Sequence, residues 1–166
     1  GLADVGISIT PDEALRFQAL YAERQRHIML SDTMRRVMDL CRARFAAVGV
    51  ITNGSVGSQT GKLKSLGMER WMPAQLVFIS DAVGVMKPAP EIFRMAQRAA
   101  GGGPCLFVGD SCTQDIAGAA ACGWQTIWIN RRGEEQPENI RPNYTVTSEQ
   151  GLFECLQMIA DRGQNW

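Results

Sequence analysis

Two carboxylates follow a short apolar run in the second half of the chain. The run Cys105–Val108 ends in Gly109-Asp110, and Asp115 comes five residues after Asp110. Small residues dominate the next segment, so the pattern predicts a strand, a turn and a helix, with Asp110 at the carboxyl end of the strand. Two carboxylates that converge at such an edge favour a hard cation, and Mg²⁺ suits oxygen ligands of this kind. The same residues are also typical of a helix N-terminus, where acidic side chains are favoured without any metal.

A hydroxyl side chain and a turn follow another apolar run. The run Ala46–Ile51 stops at Thr52, and Asn53 and Gly54 come next. A hydroxyl and the free backbone amides of such a loop can cradle a phosphate group. Thr-Asn-Gly is also a common turn sequence with no bound ligand, so this segment by itself leaves both interpretations open.

A lysine is placed where it could serve the same edge of a sheet. The run Leu76–Ile79 predicts a third strand, and the chain then leads to Lys87, just before a helix opened by prolines. The ammonium of Lys87 could act there as a point charge for an anion. An exposed lysine is more often simply solvated, so Lys87 indicates a binding site only in combination with the segments around Thr52 and Asp110.

The order of these segments resembles the haloacid dehalogenase-like (HAD) hydrolase superfamily over about residues 30–135, and most of all the phosphatase-type subgroup with a helical cap. The resemblance implies that Thr52 binds phosphate, with Asn53 and Gly54 beside it in the substrate-binding loop. It implies that Lys87 stabilises the nucleophile and the transferring phosphoryl group. Asp110 would be a Mg²⁺ ligand, and Asp115 would support the metal or the lysine.

The sequence departs from the family at the nucleophile. Members of the family attack phosphorus with the first Asp of an Asp-x-Asp-x-Thr motif on the first, central strand, and this chain contains no such motif. Asp4, Asp32 and Asp81 lack the second acid at the required spacing. We therefore expect the chain to begin downstream of the nucleophile, with residues 1–30 a remnant of the helical cap and residues 31–166 an incomplete core. Evolutionary loss of the nucleophile is the alternative.

The expected fold is an α/β, three-layer Rossmann-like domain with a mostly parallel sheet, preceded by one or two cap helices. Helices are predicted over about Pro11–Met29 and Thr33–Arg44. On the first helix, Phe17 and Tyr21 either pack in a core or line a cap pocket, and packing is the preferred interpretation. By resemblance the absent strand is central, between the strands that end at Thr52 and Asp110. The gap predicts a partner, either the missing N-terminal fragment or another copy of the chain.

The resemblance implies Mg²⁺-dependent hydrolysis of a small phosphomonoester through an aspartyl-phosphate in the intact protein, with this chain inactive by itself. A small phosphorylated metabolite is the expected substrate, and its identity is left open. A 2-haloacid dehalogenase is the nearest competing enzyme. It needs no metal, so the acidic pair favours the phosphatase. A non-catalytic phosphate-binding domain is the alternative from a different class.

Composition excludes several partners. Lysine plus arginine and aspartate plus glutamate both number 17, so the formal net charge is zero, which argues against nucleic acid as a partner. No apolar stretch is long enough to predict a membrane span.

The five cysteines form no Cys-x-x-Cys pair and no regular framework, which indicates a reducing, cytoplasmic setting. Cys112 stands out because it follows Asp110 in the candidate site, where solvent access would make it a reactive thiol.

Overall fold

The computed structural model of the chain describes residues 10–25 and 28–162, without the side chains of residues 18–19 and 21–25. Helices and strands mostly alternate after two initial helices, as the sequence predicts, but two helices follow the second strand and no described helix separates the fourth strand from the fifth. The helices are α1 (Pro11–Gln25), α2 (Asp32–Arg44), α3 (Val56–Ser65), α4 (Ser80–Val83), α5 (Pro90–Ala99), α6 (Ala117–Ala121) and α7 (Glu149–Asp161). The strands are β1 (Val50–Thr52), β2 (Val77–Ile79), β3 (Leu106–Gly109), β4 (Gln125–Ile129) and β5 (Tyr144–Val146).

The strands form two parallel groups rather than one continuous sheet. Strand β1 pairs only with β2, and β3, β4 and β5 pair in that order. Every pairing among the described residues is parallel. Within the described part of the chain, no strand lies between β1 and β3, and this is where the sequence predicted a missing central strand. The predicted α/β, mostly parallel fold is confirmed.

Helices cover both faces of these strands. On one face, α5 and α6 pack against the strands in a cluster that includes Ile51, Phe78, Phe93 and Trp124. On the other face, α2 and α7 pack against β3, β4 and β5 in a second cluster. Side chains alternate between these faces along a strand, since Phe107 lies with the first cluster while Leu106 and Val108 lie with the second. The result is the expected three-layer arrangement.

Helix α2 contacts both groups of strands. Val37 packs with Ile127 and the α7 side chains in the β3–β5 half, whereas Met38 packs with Trp71 and Met72 in the β1–β2 half. Ser31 caps the start of this helix by accepting a hydrogen bond from the backbone of the first turn, and its hydroxyl donates to Glu149 at the start of α7. The two halves are therefore joined by side-chain packing instead of a backbone hydrogen-bond ladder.

Two predicted elements are shorter than expected. The run Ala46–Ile51 was predicted as a strand, but β1 begins only at Val50. Its partner β2 begins at Val77 because Ala74–Leu76 form a 3₁₀ turn, so the earlier residues of the run have no strand to pair with in the described structure. The first helix was predicted to reach Met29, but Ile28 and Met29 are not helical and belong to the link into α2.

The preferred interpretation of Phe17 was wrong. Its side chain is 65% exposed, and Leu20 on the same helix is 60% exposed. Helix α1 contacts α3, which leaves these apolar residues outside the core clusters. The side chain of Tyr21 and all of Asp4 lie outside the described residues. None of the described helices is long and apolar enough to cross a bilayer.

Candidate active site

The loop after β1 is tied to the neighbouring strand ends through Asn53. The Asn53 side chain accepts a hydrogen bond from the backbone N–H of Lys87 at 2.9 Å and donates to the Lys87 carbonyl at 3.0 Å. Its Nδ2 also donates to Gln114, which follows β3 in the chain, at 3.2 Å. One amide side chain therefore joins the loops that follow β1, β2 and β3. This network brings the segments that carry Thr52, Lys87 and Asp110 to one edge of the fold.

Lys87 and Asp115 form a buried ion pair. Lys87 Nζ lies 2.6 Å from Asp115 Oδ1, and the two side chains are only 12% and 6% exposed. The second carboxylate oxygen of Asp115 accepts the Ser111 backbone N–H at 3.1 Å. Lys87 Nζ also lies 5.6 Å above the centre of the Phe107 ring, which favours the cation. The ammonium is thus fixed in place by a carboxylate and an aromatic face.

Two glycines make room for this ion pair. A Cβ on Gly109 would lie 2.4–2.6 Å from the side-chain atoms of Asp115, so only glycine lets that carboxylate fold back over the end of β3. A Cβ on Gly118 would lie 2.4 Å from the Phe93 ring and 2.8 Å from the Pro88 carbonyl. The absence of a side chain at Gly118 therefore allows α6 to press against the segment that holds Lys87.

Asp110 differs from Asp115 in its surroundings. It directly follows β3 and is exposed, while its backbone carbonyl accepts a hydrogen bond from the buried Trp128 indole at 3.0 Å. The backbone is therefore held, and the carboxylate is open to solvent. Among the described residues, no group of three or more His, Cys, Asp or Glu side chains is placed to hold a metal ion. An ion at Asp110 would need further oxygen ligands from outside these side chains.

The loop after β1 has a different arrangement from the predicted open cradle. The Gly54 backbone N–H donates to the Ser80 hydroxyl at 2.9 Å, so this amide is already used within the protein. The Thr52 hydroxyl donates to Gln59 Oε1 at 2.9 Å. Ser80 and Gln59 were not identified from the sequence, because both act through side-chain contacts that residue spacing does not specify. The assignments of Thr52, Asn53, Gly54, Lys87, Asp110 and Asp115 to substrate and metal remain predictions.

A cavity of about 670 Å³ separates the two groups of strands. The facing strands β1 and β3 line it, and α2, α5 and α7 contribute apolar side chains, among them Val37, Ala96 and Leu152. Lys87, Asp110 and Asp115 also border the cavity, beyond the carboxyl end of β3. The cavity therefore has an apolar body and a charged boundary on the side of the candidate site.

Cys112 does not fit the description of a reactive thiol. Its side chain is 5% exposed and packs with Ile116 and Trp128. Burial, followed by the nearby charge of Glu134, raises the pKa of this thiol above its usual value. All five cysteines are free, and the residue beside Asp110 belongs to a core cluster.

A family model and a curated relative match much of this chain. The family model described as haloacid dehalogenase-like hydrolase matches residues 5–123. The pyrimidine 5'-nucleotidase YjjG of Escherichia coli is 39% identical over 117 residues, which are 69% of this chain and 50% of that protein. The chain spans about half the length of the curated relatives it matches.

Two solved structures resemble the whole arrangement. The putative HAD-hydrolase YfnB of Bacillus subtilis, solved with bound magnesium, superposes with a TM-score of 0.70 and 25% identity over 93% of this chain and 76% of that one. The L-2-haloacid dehalogenase RSc1362 superposes with a TM-score of 0.76 and 25% identity over 94% of this chain and 67% of that one.

Proposed function

Because the chain belongs to the haloacid dehalogenase-like hydrolase family, we propose that it forms the anion- and metal-binding side of an enzyme that hydrolyses small phosphomonoesters. The observation that carries this proposal is the buried Lys87–Asp115 pair, which Asn53 connects to the Thr52 loop. A fixed ammonium at the same edge of the fold as a hydroxyl and an open carboxylate suits phosphoryl transfer, which depends on positioning and charge neutralisation. The nucleotidase name of the Escherichia coli relative supports a phosphate ester as the substrate.

Each residue has a separate role in this proposal. The Thr52 hydroxyl donates to a non-bridging phosphate oxygen, and Lys87 neutralises charge on the phosphoryl group as it transfers. Asp115 holds the lysine in place, because both of its carboxylate oxygens are engaged inside the protein. Asp110 is the carboxylate that is left free to bind a metal ion. The net reaction consumes one water and releases the alcohol and inorganic phosphate.

The donors present fit Mg²⁺ better at Asp110 than at Asp115. Mg²⁺ commonly binds one or two carboxylates and completes its shell with waters and substrate phosphates. The exposed carboxylate of Asp110 suits that mode, and the magnesium-bound relative from Bacillus subtilis supports the choice of ion. When bound, Mg²⁺ would neutralise charge on the phosphoryl oxygens.

We propose that the nucleophile reaches the site on an extended segment that occupies the cavity. Strands β1 and β3 line the cavity on opposite sides, and all described strand pairings are parallel, so one strand could pair with both. The apolar lining suits a strand that is buried on both faces. An acidic residue at the carboxyl end of that strand would meet Lys87 and Asp110, at the charged boundary of the cavity. The carboxylate would attack phosphorus and displace the alcohol, and water would then release phosphate from the aspartyl-phosphate.

A synthetic peptide tests both parts of this proposal. The peptide has five β-branched or aromatic residues followed by Asp-x-Asp-x-Thr, and the control peptide has Asn in place of the first Asp. We expect both peptides to bind the chain in a fluorescence-anisotropy titration, because the contacts of the strand are the same. Only the first should hydrolyse p-nitrophenyl phosphate, at least about 100-fold faster than the control, and chelation of Mg²⁺ should abolish the activity.

The outcomes separate the candidate functions. Binding of both peptides without hydrolysis would favour the non-catalytic phosphate-binding domain. The similarity to RSc1362 supports the dehalogenase as a second candidate, which predicts metal-independent halide release from a 2-haloacid. Absence of peptide binding, together with self-association of the chain, would indicate that a second copy covers the cavity.

The five free cysteines support our placement of the protein in the cytoplasm.

A further inference from the structure

Gln59 is placed to control the direction of the Thr52 hydroxyl. It lies in the first half of α3, and its Oε1 accepts the Thr52 hydroxyl at 2.9 Å. Its Nε2 lies over Gly54, only 2.5 Å from the position that a Cβ on Gly54 would occupy. The Gln59 amide therefore spans the loop, with one end on Thr52 and the other end on Gly54.

This arrangement commits the only hydrogen of the Thr52 hydroxyl. A hydroxyl has one donor and two acceptor lone pairs. While Thr52 donates to Gln59, it presents only lone pairs to an approaching anion, and these repel phosphate oxygens. The Gly54 backbone N–H cannot take its place, since it donates to Ser80. For the loop to bind an anion through Thr52, the hydroxyl hydrogen must be released.

We infer that Gln59 is a positioning residue that releases this hydrogen by rotation of its amide group. When the amide turns over, Nε2 donates to Thr52 Oγ1 and the hydroxyl hydrogen points to the anion. The two amide ends are nearly equal in size, so the exchange needs no change in packing. Because Gly54 has no side chain, either end of the amide fits over it. Gln59 thus stabilises the anion-free and the anion-bound loop with the same contact.

This inference rests on the proposed role of Thr52 in phosphate binding. The test is calorimetric titration of the chain with inorganic phosphate in the presence of Mg²⁺, so it does not depend on turnover. Q59E removes the donor end of the side chain and retains an acceptor, and we expect phosphate to bind about 10- to 100-fold more weakly. Q59L removes both ends, and the expected loss is smaller, about 3- to 10-fold, because the hydroxyl is then free to turn.

A double-mutant cycle with T52V separates positioning from a general structural effect. If Gln59 acts through the hydroxyl, Q59L should cause no further loss of phosphate affinity in the T52V background. The side-chain amide signals of Gln59 in a ¹⁵N-correlated NMR spectrum should also shift on addition of phosphate in the unsubstituted chain, and not in T52V. A residue that only supported the loop would lower phosphate affinity in the T52V background as well.

The possible results have distinct meanings. Equal phosphate affinity of Q59E and the unsubstituted chain, or additive losses in the cycle, would overturn the role of Gln59 and leave the proposed function intact. Failure of the unsubstituted chain to bind phosphate would overturn both. If Q59E does not fold, as judged by circular dichroism, Q59L and the NMR titration decide the question.

Discussion

The buried Lys87–Asp115 pair makes a strong prediction about stability. At a separation of 2.6 Å, with both side chains about nine-tenths buried, the gross attraction is about 6 kcal/mol at an effective dielectric constant of about 20. Desolvation of the two charges offsets much of this attraction in the intact pair. Removal of one partner leaves the other charge buried and uncompensated, so we expect K87M to lower the free energy of unfolding by about 3–5 kcal/mol.

An exposed pair of the same length provides the control. Arg35 and Asp32 are also 2.6 Å apart, but their side chains are 46% and 95% exposed. R35M should therefore cost no more than about 1 kcal/mol. Urea unfolding followed by circular dichroism measures both variants. The reasoning about burial would be refuted if K87M and R35M were equally stable within about 1 kcal/mol. The double variant K87M/D115L should recover most of the loss.

Three further predictions follow from packing around the site and on α1. G109A should lower the free energy of unfolding in urea by about 1–3 kcal/mol, because its Cβ would overlap Asp115. G57A is the control in helix α3: its Cβ would meet no atom within 4 Å, so it should leave the free energy of unfolding unchanged or raise it. Cys112 should react with iodoacetamide at pH 8 more slowly than the less buried Cys122, because Cys112 is only 5% exposed; burial raises the pKa of both thiols, so the expected difference depends on access, and mass spectrometry that found Cys112 alkylated first would contradict this. F17S should change the free energy of unfolding by less than about 0.5 kcal/mol because Phe17 is exposed, and a loss above about 2 kcal/mol would show that Phe17 is packed.

The sequence predicted the strand ends well because they depend on local patterns. Short apolar runs that stop at Thr52 and Gly109 mark where parallel strands deliver polar residues, and both strands end at those residues. Ser148 and Ser31 cap the starts of α7 and α2 by accepting backbone hydrogen bonds from the first turn, so these starts also depend on local residues. At these positions, neighbouring residues in the sequence determine where the strand ends or the helix begins.

Predictions failed where contacts between distant parts of the chain determine the local structure. The strand predicted from Ala46 is short because its partner begins late, and residue pattern within the run contains no information on that partner. Phe17 is exposed because α1 lacks a covering element among the described residues, although its helical spacing resembles a buried face. Gln59 and Ser80 were missed because their contacts with Thr52 and Gly54 depend on loop geometry and side-chain direction.

The contacts of α2 have a consequence for the geometry of the candidate site. Because β1 and β3 are not linked by hydrogen bonds in the described structure, the spacing between the Thr52 loop and Asp110 depends on side-chain packing, including that of α2 on both groups of strands, and on the hydrogen bonds of Asn53. Val37 and Met38, which pack in different clusters, therefore contribute to the distance between the two groups of strands. Changes in the volume of these two side chains would alter the separation of the two groups of strands without changing a polar residue.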